Sequence, residues 1–405
     1  MLYRSYQGYS NWIDSVRWLG GANQSAHKQW MQSMGLPPLP HVEAHYEQIK
    51  LMGLTHTRPA FNISEVECSK GVIYKVDEAT VFSTPFCGLL RFKRVDNAVL
   101  PKVLLVAPMS GHFATLLAGT VKTLLKDHEV YLTDWKNIRD VALSEGRFDL
   151  DSYTSHIIQF MQFLGPGAHL IGVCQPTVSC LAATAVMAER KDPCQPVSLT
   201  LMAGPVDARI NPTAVNNLAN EKPFEWFETK LIDTVPQEFT GAGRRVYPGF
   251  LQLIAFMSMN PDRHRESFKN LYTNRLDGEH KKADAIRDFY EEYFAIMDLS
   301  ADFYLETIKH VFQDYALAKG TLTYQAQKLN LKAIKRPFLL TVEGERDDIC
   351  GIGQTLAAQD LCSGLPAYKK SHHLQAGVGH YGVFNGKRWE AQIYPVVRNM
   401  IQSVN

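Results

Sequence analysis

The stretch that most limits what this chain can fold into is His169-Leu-Ile-Gly-Val-Cys-Gln-Pro-Thr177. Its apolar run is too short for a helix and suits a buried strand, yet it passes without a linker into a helical stretch at 175–190. Such a junction needs a sharp bend, and Gly172 lets the backbone pass closely there. The layout Gly172-x-Cys174-x-Pro176 is that of a nucleophile elbow, with Cys in the attacking position and Pro where a second Gly usually stands. Pro is compatible with the first turn of a helix, where its missing N–H has no intrahelical partner. The bend lifts the Cys174 side chain above the sheet, and the following helix N-terminus favours a thiolate. The plainer reading is that Cys174 is a small buried hydrophobe, as most free cysteines are.

The surrounding pattern supplies the sheet that an elbow requires. Runs at 71–76, 87–94, 103–107, 130–133, 168–173 and 197–203 read as strands, with helical stretches at 113–126, 152–164 and 175–190 between them. Strand and helix alternating at these spacings predict an α/β protein with a mostly parallel sheet and helices on both faces. The alternation stops after Asp207. Residues 208–330 carry aromatic-rich helices and no convincing strand, which predicts an inserted helical cap. Strand signals return at 337–343 and 368–374, and a last helix is expected over 388–401. The first 65 residues read as helical around a Pro-rich break at 35–40, either a peripheral helix on the core or a docking face. The expected division is 1–65 extension, 66–207 first part of the core, 208–330 cap, and 331–405 second part of the core.

Charge and cysteine content remove other classes. Forty-two basic against 41 acidic residues leave no excess for nucleic acid. Seven cysteines without a CxxC spacing fit neither a disulfide framework nor a zinc ribbon, and they suit a reducing compartment. No apolar run approaches the roughly 20 residues of a membrane span, and the N-terminal stretch lacks a signal-peptide core. The expectation is a soluble cytoplasmic protein with no membrane span. No phosphate-binding glycine loop is present, so no cofactor and no metal are expected.

A nucleophile elbow needs an acid and a histidine downstream, in that order. After the strand at 337–343 comes Gly344-Glu-Arg-Asp-Asp-Ile349, and Gly377-Val-Gly-His-Tyr-Gly-Val383 follows near the C-terminus. These place Asp347 as acid and His380 as base, with Cys174 as nucleophile. Asp348 and Asp207 are alternative acids; Asp347 is favoured because Asp-x-Ile spacing turns Ile349 back toward the core. The oxyanion donors expected are the N–H of Gln175 and an N–H from the loop after residues 103–107, either Met109 or Ser110. His112 reads as a pocket wall. Tyr247, Phe250 and Phe256 in the insertion, and Tyr381 beside His380, are the candidate substrate-binding residues, although apolar side chains at helical spacing more often form a core.

Gly-Val-Cys-Gln-Pro, Val-Glu-Gly-Glu-Arg-Asp-Asp-Ile, Val-Gly-His-Tyr-Gly-Val-Phe-Asn-Gly and Tyr247-Pro-Gly-Phe-Leu-Gln252 together resemble the intracellular polyhydroxybutyrate depolymerases over nearly the whole chain. The resemblance implies an α/β-hydrolase fold and a Cys nucleophile acting on amorphous polyester stored in cytoplasmic granules. It implies a granule surface as partner and leaves the oligomeric state open, a homo-oligomer included. Two other readings stay open: a polyester synthase, which also uses Cys, Asp and His but usually keeps Gly where Pro176 stands, and a catalytically silent granule-binding protein.

Overall fold

A computed structural model describes residues 2–37, 39–259 and 261–404, without the side chains of Lys70 and Met259. Nine strands form one sheet: β1 (Glu65–Glu67), β2 (Ile73–Ser83), β3 (Cys87–Arg94), β4 (Lys102–Val106), β5 (Glu129–Trp135), β6 (His169–Val173), β7 (Ser198–Met202), β8 (Phe338–Gly344) and β9 (Lys370–Gln375). Their order across the sheet is β1-β2-β3-β5-β4-β6-β7-β8-β9. The pairings of β1 with β2, β2 with β3 and β3 with β5 are antiparallel; every later pairing is parallel. This is the mostly parallel sheet with helices on both faces that the alternation predicts.

The parallel centre explains why β6 and β7 show no exposed face. All five residues of each are buried, because helices cover both faces. α3 (Ala118–Leu124) lies between β4 and β5, and α4 (Leu150–Leu164) and α5 (Thr177–Glu189) pack on one another against the sheet. Thr177 through Met187 are all buried, so α5 shows no polar face in its sequence. Asp149 caps α4 by accepting from the Ser152 N–H at 2.8 Å.

Between β7 and β8 lie α6 (Ala214–Glu221), α7 (Phe224–Leu231), α8 (Gly249–Met259), α9 (Pro261–Leu276), α10 (His280–Tyr293) and α11 (Ala301–Glu306). The last continues into a π-helical segment, Thr307–Gln313. Here the expectation of a strand-free insertion needs correction. Asp233–Thr234, Arg245–Tyr247 and Leu299–Ser300 form a small antiparallel sheet, and Thr323–Tyr324 pairs with Gln327–Lys328. Segments of two or three residues are too short to show alternation. The small sheet has a consequence for the site, since pairing of Tyr247 with Leu299 fixes where that ring stands.

The N-terminal helix α1 (Leu2–Ser33) and α2 (Pro40–Leu51) form a hairpin against α9. α1 is tied down at its start. The Tyr3 hydroxyl donates to Asp298, whose other oxygen accepts from the Gly249 N–H at 2.8 Å. Asp298 is fully buried, so this link joins α1, α8 and the small sheet through one carboxylate. No described helix is long and apolar enough to cross a membrane.

Candidate active site

Cys174 follows the last residue of β6 and precedes α5. Its N–H donates to the Met202 carbonyl at 2.7 Å, and its own carbonyl accepts from the Thr177 N–H at 3.2 Å. The backbone there has φ = +67°, a left-handed conformation that costs a non-Gly residue roughly 1–2 kcal/mol. Close packing of the bend depends on two glycines. A Cβ on Gly172 would lie 2.8 Å from the Cys180 sulfur, and one on Gly204 would lie 1.9 Å from Thr177 Oγ1 and 2.5 Å from the Cys174 carbonyl oxygen. The tight bend leaves Cys174 and Gln175 half-buried at a cavity while Val173 and Pro176 are covered.

Asp347 comes three residues after β8 ends, in a turn closed by its N–H to the Gly344 carbonyl. Its side chain is fully covered. Oδ1 accepts from the N–H groups of Ile349 and Cys350 at 2.9 and 2.8 Å, which aims Oδ2 at His380. The distance from His380 Nδ1 to Oδ2 is 2.8 Å. The Cys174 sulfur lies close enough to His380 to act on the charge of its imidazole. Burial works against charge on this imidazole, but the Asp347 carboxylate and then the nearby Cys174 sulfur more than offset it. His380 therefore holds its proton well above the usual imidazole range.

The fold thus joins His380 to Asp347 by a hydrogen bond and sets Cys174 close to the imidazole. Asp348 is exposed and faces a separate, outer cavity. Asp207 is engaged at both oxygens by Arg209, at 2.8 and 2.7 Å, and the guanidinium lowers its pKa. Ile349 does not turn into the core, contrary to the sequence reading; its side chain lines the cavities, and its N–H is what holds Asp347.

Two cavities meet at these residues. The inner one, about 540 Å³, is lined by Cys174, Gln175, Met109 and Ser110 on the core side and by Phe256, Tyr247, Phe303, Tyr304 and Phe312 on the insertion side. The outer one, about 680 Å³, is lined by His380, Tyr381, Tyr293 and Phe256 among others. Phe256 and Ile349 belong to both and mark their boundary. Of the two loop residues offered as oxyanion donors, Met109 points its N–H at the Gln175 side-chain oxygen, 3.4 Å away. Ser110 lines the same cavity without a comparable bond to Gln175.

Two expected substrate-binding residues stand elsewhere. α8 is apolar on two sides. Gln252, Ala255 and Phe256 face the inner cavity at i, i+3 and i+4, whereas Phe250 and Leu253 are buried on another side. Phe250 stacks on Tyr6 of α1 at 4.0 Å and lines neither cavity. His112 is also absent from both linings. It is buried between the rings of Phe256 and Tyr293, at 5.8 and 5.0 Å, and burial pushes its pKa down to about 4. Tyr247 and Tyr381 do line cavities, the inner and the outer respectively. The sequence reading missed Tyr304, which stacks on Tyr247 at 3.9 Å, and the Gln175 side chain. Tyr304 was visible as a helical aromatic, but nothing in its spacing distinguishes a cavity wall from a core.

Comparison with known proteins adds an independent finding. Residues 203–405 match the family model described as PHB de-polymerase C-terminus. No curated relative matches the sequence significantly. Among solved structures, a monoacylglycerol lipase from Paleococcus ferrophilus is 13% identical, with 82% of this chain and 100% of that chain covered and a TM-score of 0.46. An epoxide hydrolase from Bacillus megaterium is 14% identical, with 79% and 99% covered and a TM-score of 0.47. A 2-hydroxy-6-oxo-6-phenylhexa-2,4-dienoate hydrolase from Rhodococcus sp. strain RHA1 is 13% identical, with 81% and 100% covered and a TM-score of 0.45.

Proposed function

Because the chain belongs to the PHB de-polymerase family, we propose that it is an ester hydrolase that cuts poly(3-hydroxybutyrate) storage polymer into oligomers and monomer through Cys174, His380 and Asp347. The observation that carries this reading is the 2.8 Å hydrogen bond between Asp347 and His380, with His380 beside the half-buried Cys174 where an apolar cavity meets an outer one. A polyester chain is apolar and uncharged along its length, and the inner cavity, lined by aromatic and aliphatic side chains, suits it.

The chemistry runs in two steps. His380 takes the Cys174 proton, and the thiolate attacks an ester carbonyl carbon. The carbonyl oxygen gains negative charge and is met by the N–H of Gln175 and the N–H of Met109, with the Gln175 carboxamide swinging aside. The C–O bond breaks, the alcohol oxygen takes the proton from the imidazolium, and a thioester remains on Cys174. Water, deprotonated by His380, then attacks the thioester; the C–S bond breaks and the thiol regains its proton. Asp347 holds the ring with Nε2 toward the sulfur and stabilises the imidazolium throughout.

Association with a polymer surface has support outside the site. Leu2, Tyr9, Trp12, Leu19 and Trp30 are all exposed and fall along one side of α1. An apolar stripe on a 32-residue helix, roughly 48 Å long, suits a helix lying flat on a hydrophobic surface. The reading is tested by incubating native amorphous granules and a soluble butyrate ester with the protein and with Cys174→Ala. Release of 3-hydroxybutyrate by the parent and none by the variant supports it; release by both refutes it. Trp12→Ser/Trp30→Ser should reduce sedimentation with granules while soluble-ester hydrolysis continues, and unchanged sedimentation would refute the role of α1.

A further inference from the structure

We propose that the outer cavity is a carboxylate subsite, which holds the free acid end of the alcohol fragment leaving Cys174. Short 3-hydroxybutyrate oligomers with a free carboxylate are then cleaved faster than the same oligomers capped as methyl esters. This rests on the ester-hydrolase reading above and adds a direction and a charge preference to it.

The direction follows from which residues line which cavity. Cys174, Gln175 and Met109 line the inner cavity, and His380 lines the outer one. An acyl group on the Cys174 sulfur, its oxygen toward the two N–H groups, extends into the inner cavity. The alcohol oxygen must collect its proton from His380, so its fragment departs on the outer side. In a chain of 3-hydroxybutyrate units the alcohol fragment is always the one that leads to the carboxyl end. A short oligomer therefore brings its carboxylate into the outer cavity and nowhere else.

The charges divide in the same way. The inner cavity has no acidic or basic residue among its described lining residues. The outer cavity is lined by Arg263, Arg346, Lys387 and Arg388 against one carboxylate, Asp348. These four cations come from α9, from the turn that carries Asp347, and from the segment just beyond His380. In a chain of net charge +1 this is a local concentration, not a reflection of overall composition. Arg388 donates to the neutral Ala376 carbonyl at 2.7 Å and lies across Gly377, where a Cβ would sit 2.3 Å from its Nη1. Gly377, with φ = +71°, thus keeps that guanidinium in place without neutralising it. Charges converging on a half-enclosed cleft raise the local concentration of an anion and orient it.

The test compares 3-hydroxybutyrate trimer with its methyl ester, by kcat/KM on the parent protein and on Arg263→Gln/Arg346→Gln. The cations are solvent-facing, so the expected preference for the free acid is modest, about 5-fold at low ionic strength. It should shrink toward unity at about 0.5 M salt and in the double variant. The ratio is taken within each sample, so a reduced folded fraction cancels. Equal kcat/KM for the two substrates at low salt would overturn the proposal, as would a preference that neither salt nor the substitutions reduce. If neither substrate were cleaved, the ester-hydrolase reading itself would fall, and the two failures are thereby told apart.

Discussion

Asp347→Asn is the substitution whose effect can be worked out most fully from the structure. The carboxylate accepts three hydrogen bonds with two oxygens: Oδ1 from the N–H of Ile349 and of Cys350, Oδ2 from His380. An asparagine has a single acceptor oxygen. If that oxygen stays with the two backbone N–H groups, the Nδ2 group faces His380 Nδ1 and must donate to it. The imidazole is then held as the tautomer protonated on Nε2, which cannot take the Cys174 proton. In a serine triad the same error costs on the order of 10⁴ in kcat. For this site we expect a loss of about 10³–10⁴-fold, or about 4–5.5 kcal/mol of transition-state stabilisation. The assay is kcat on a soluble butyrate ester, with thermal melting to show that the variant is folded. Asp348→Asn, at an exposed residue on the outer cavity, should cost far less. A loss of less than about 10-fold in Asp347→Asn, or equal losses at the two positions, would refute the assignment of the acid.

Further expectations concern the pH profile, the bend and the boundary between the cavities. Asp347 is the strongest of the influences that favour charge on His380, so removing its carboxylate must lower the imidazole pKa; the alkaline limb of kcat/KM should move to lower pH in Asp347→Asn, and a limb that stays in place would contradict this. Gly204→Ala places a Cβ against the Cys174 carbonyl and Thr177, and should lower stability by about 1–3 kcal/mol in urea denaturation; an unchanged midpoint would show that the bend yields more easily than its packing implies. Tyr3→Phe strips a partner from the buried Asp298 and should cost about 1–3 kcal/mol, read as faster hydrogen exchange in α1; unaltered exchange would mean that other contacts hold the helix. Phe256→Ser should impair granule hydrolysis more than soluble-ester hydrolysis, because Phe256 stands where both cavities meet; parallel losses would return it to ordinary packing.

Much of this architecture could be read from the chain because its signals are local. β3 spans the predicted 87–94, β6 starts one residue later than predicted, and β7 is one residue shorter at each end. Apolar runs bounded by turns are enough for that. The separation of Asp347 from His380, 33 residues in sequence, places each at a strand end or beyond it, and the fold closes that gap to 2.8 Å. What stayed hidden depends on packing between distant segments. Phe250 and Phe256 are chemically alike and six residues apart, and only the position of α1 decides that one meets Tyr6 while the other meets a cavity. The two-residue strands that set Tyr247 against Leu299 leave no periodic trace. Arg263, Arg346, Lys387 and Arg388 read singly as solvated surface, and converge only when α9 is laid beside the His380 loop.

The central claim is a covalent intermediate on Cys174, and trapping it is the most direct test. The protein is mixed with a short 3-hydroxybutyrate oligomer, quenched in acid within the first turnovers and digested for peptide mass spectrometry. The account predicts a hydroxyacyl adduct, sensitive to hydroxylamine as a thioester is, on the peptide that carries Cys174 and absent from the peptides of the other six cysteines. Oligomer cleavage that continues in Cys174→Ala, or an adduct that forms on a different residue, would contradict it.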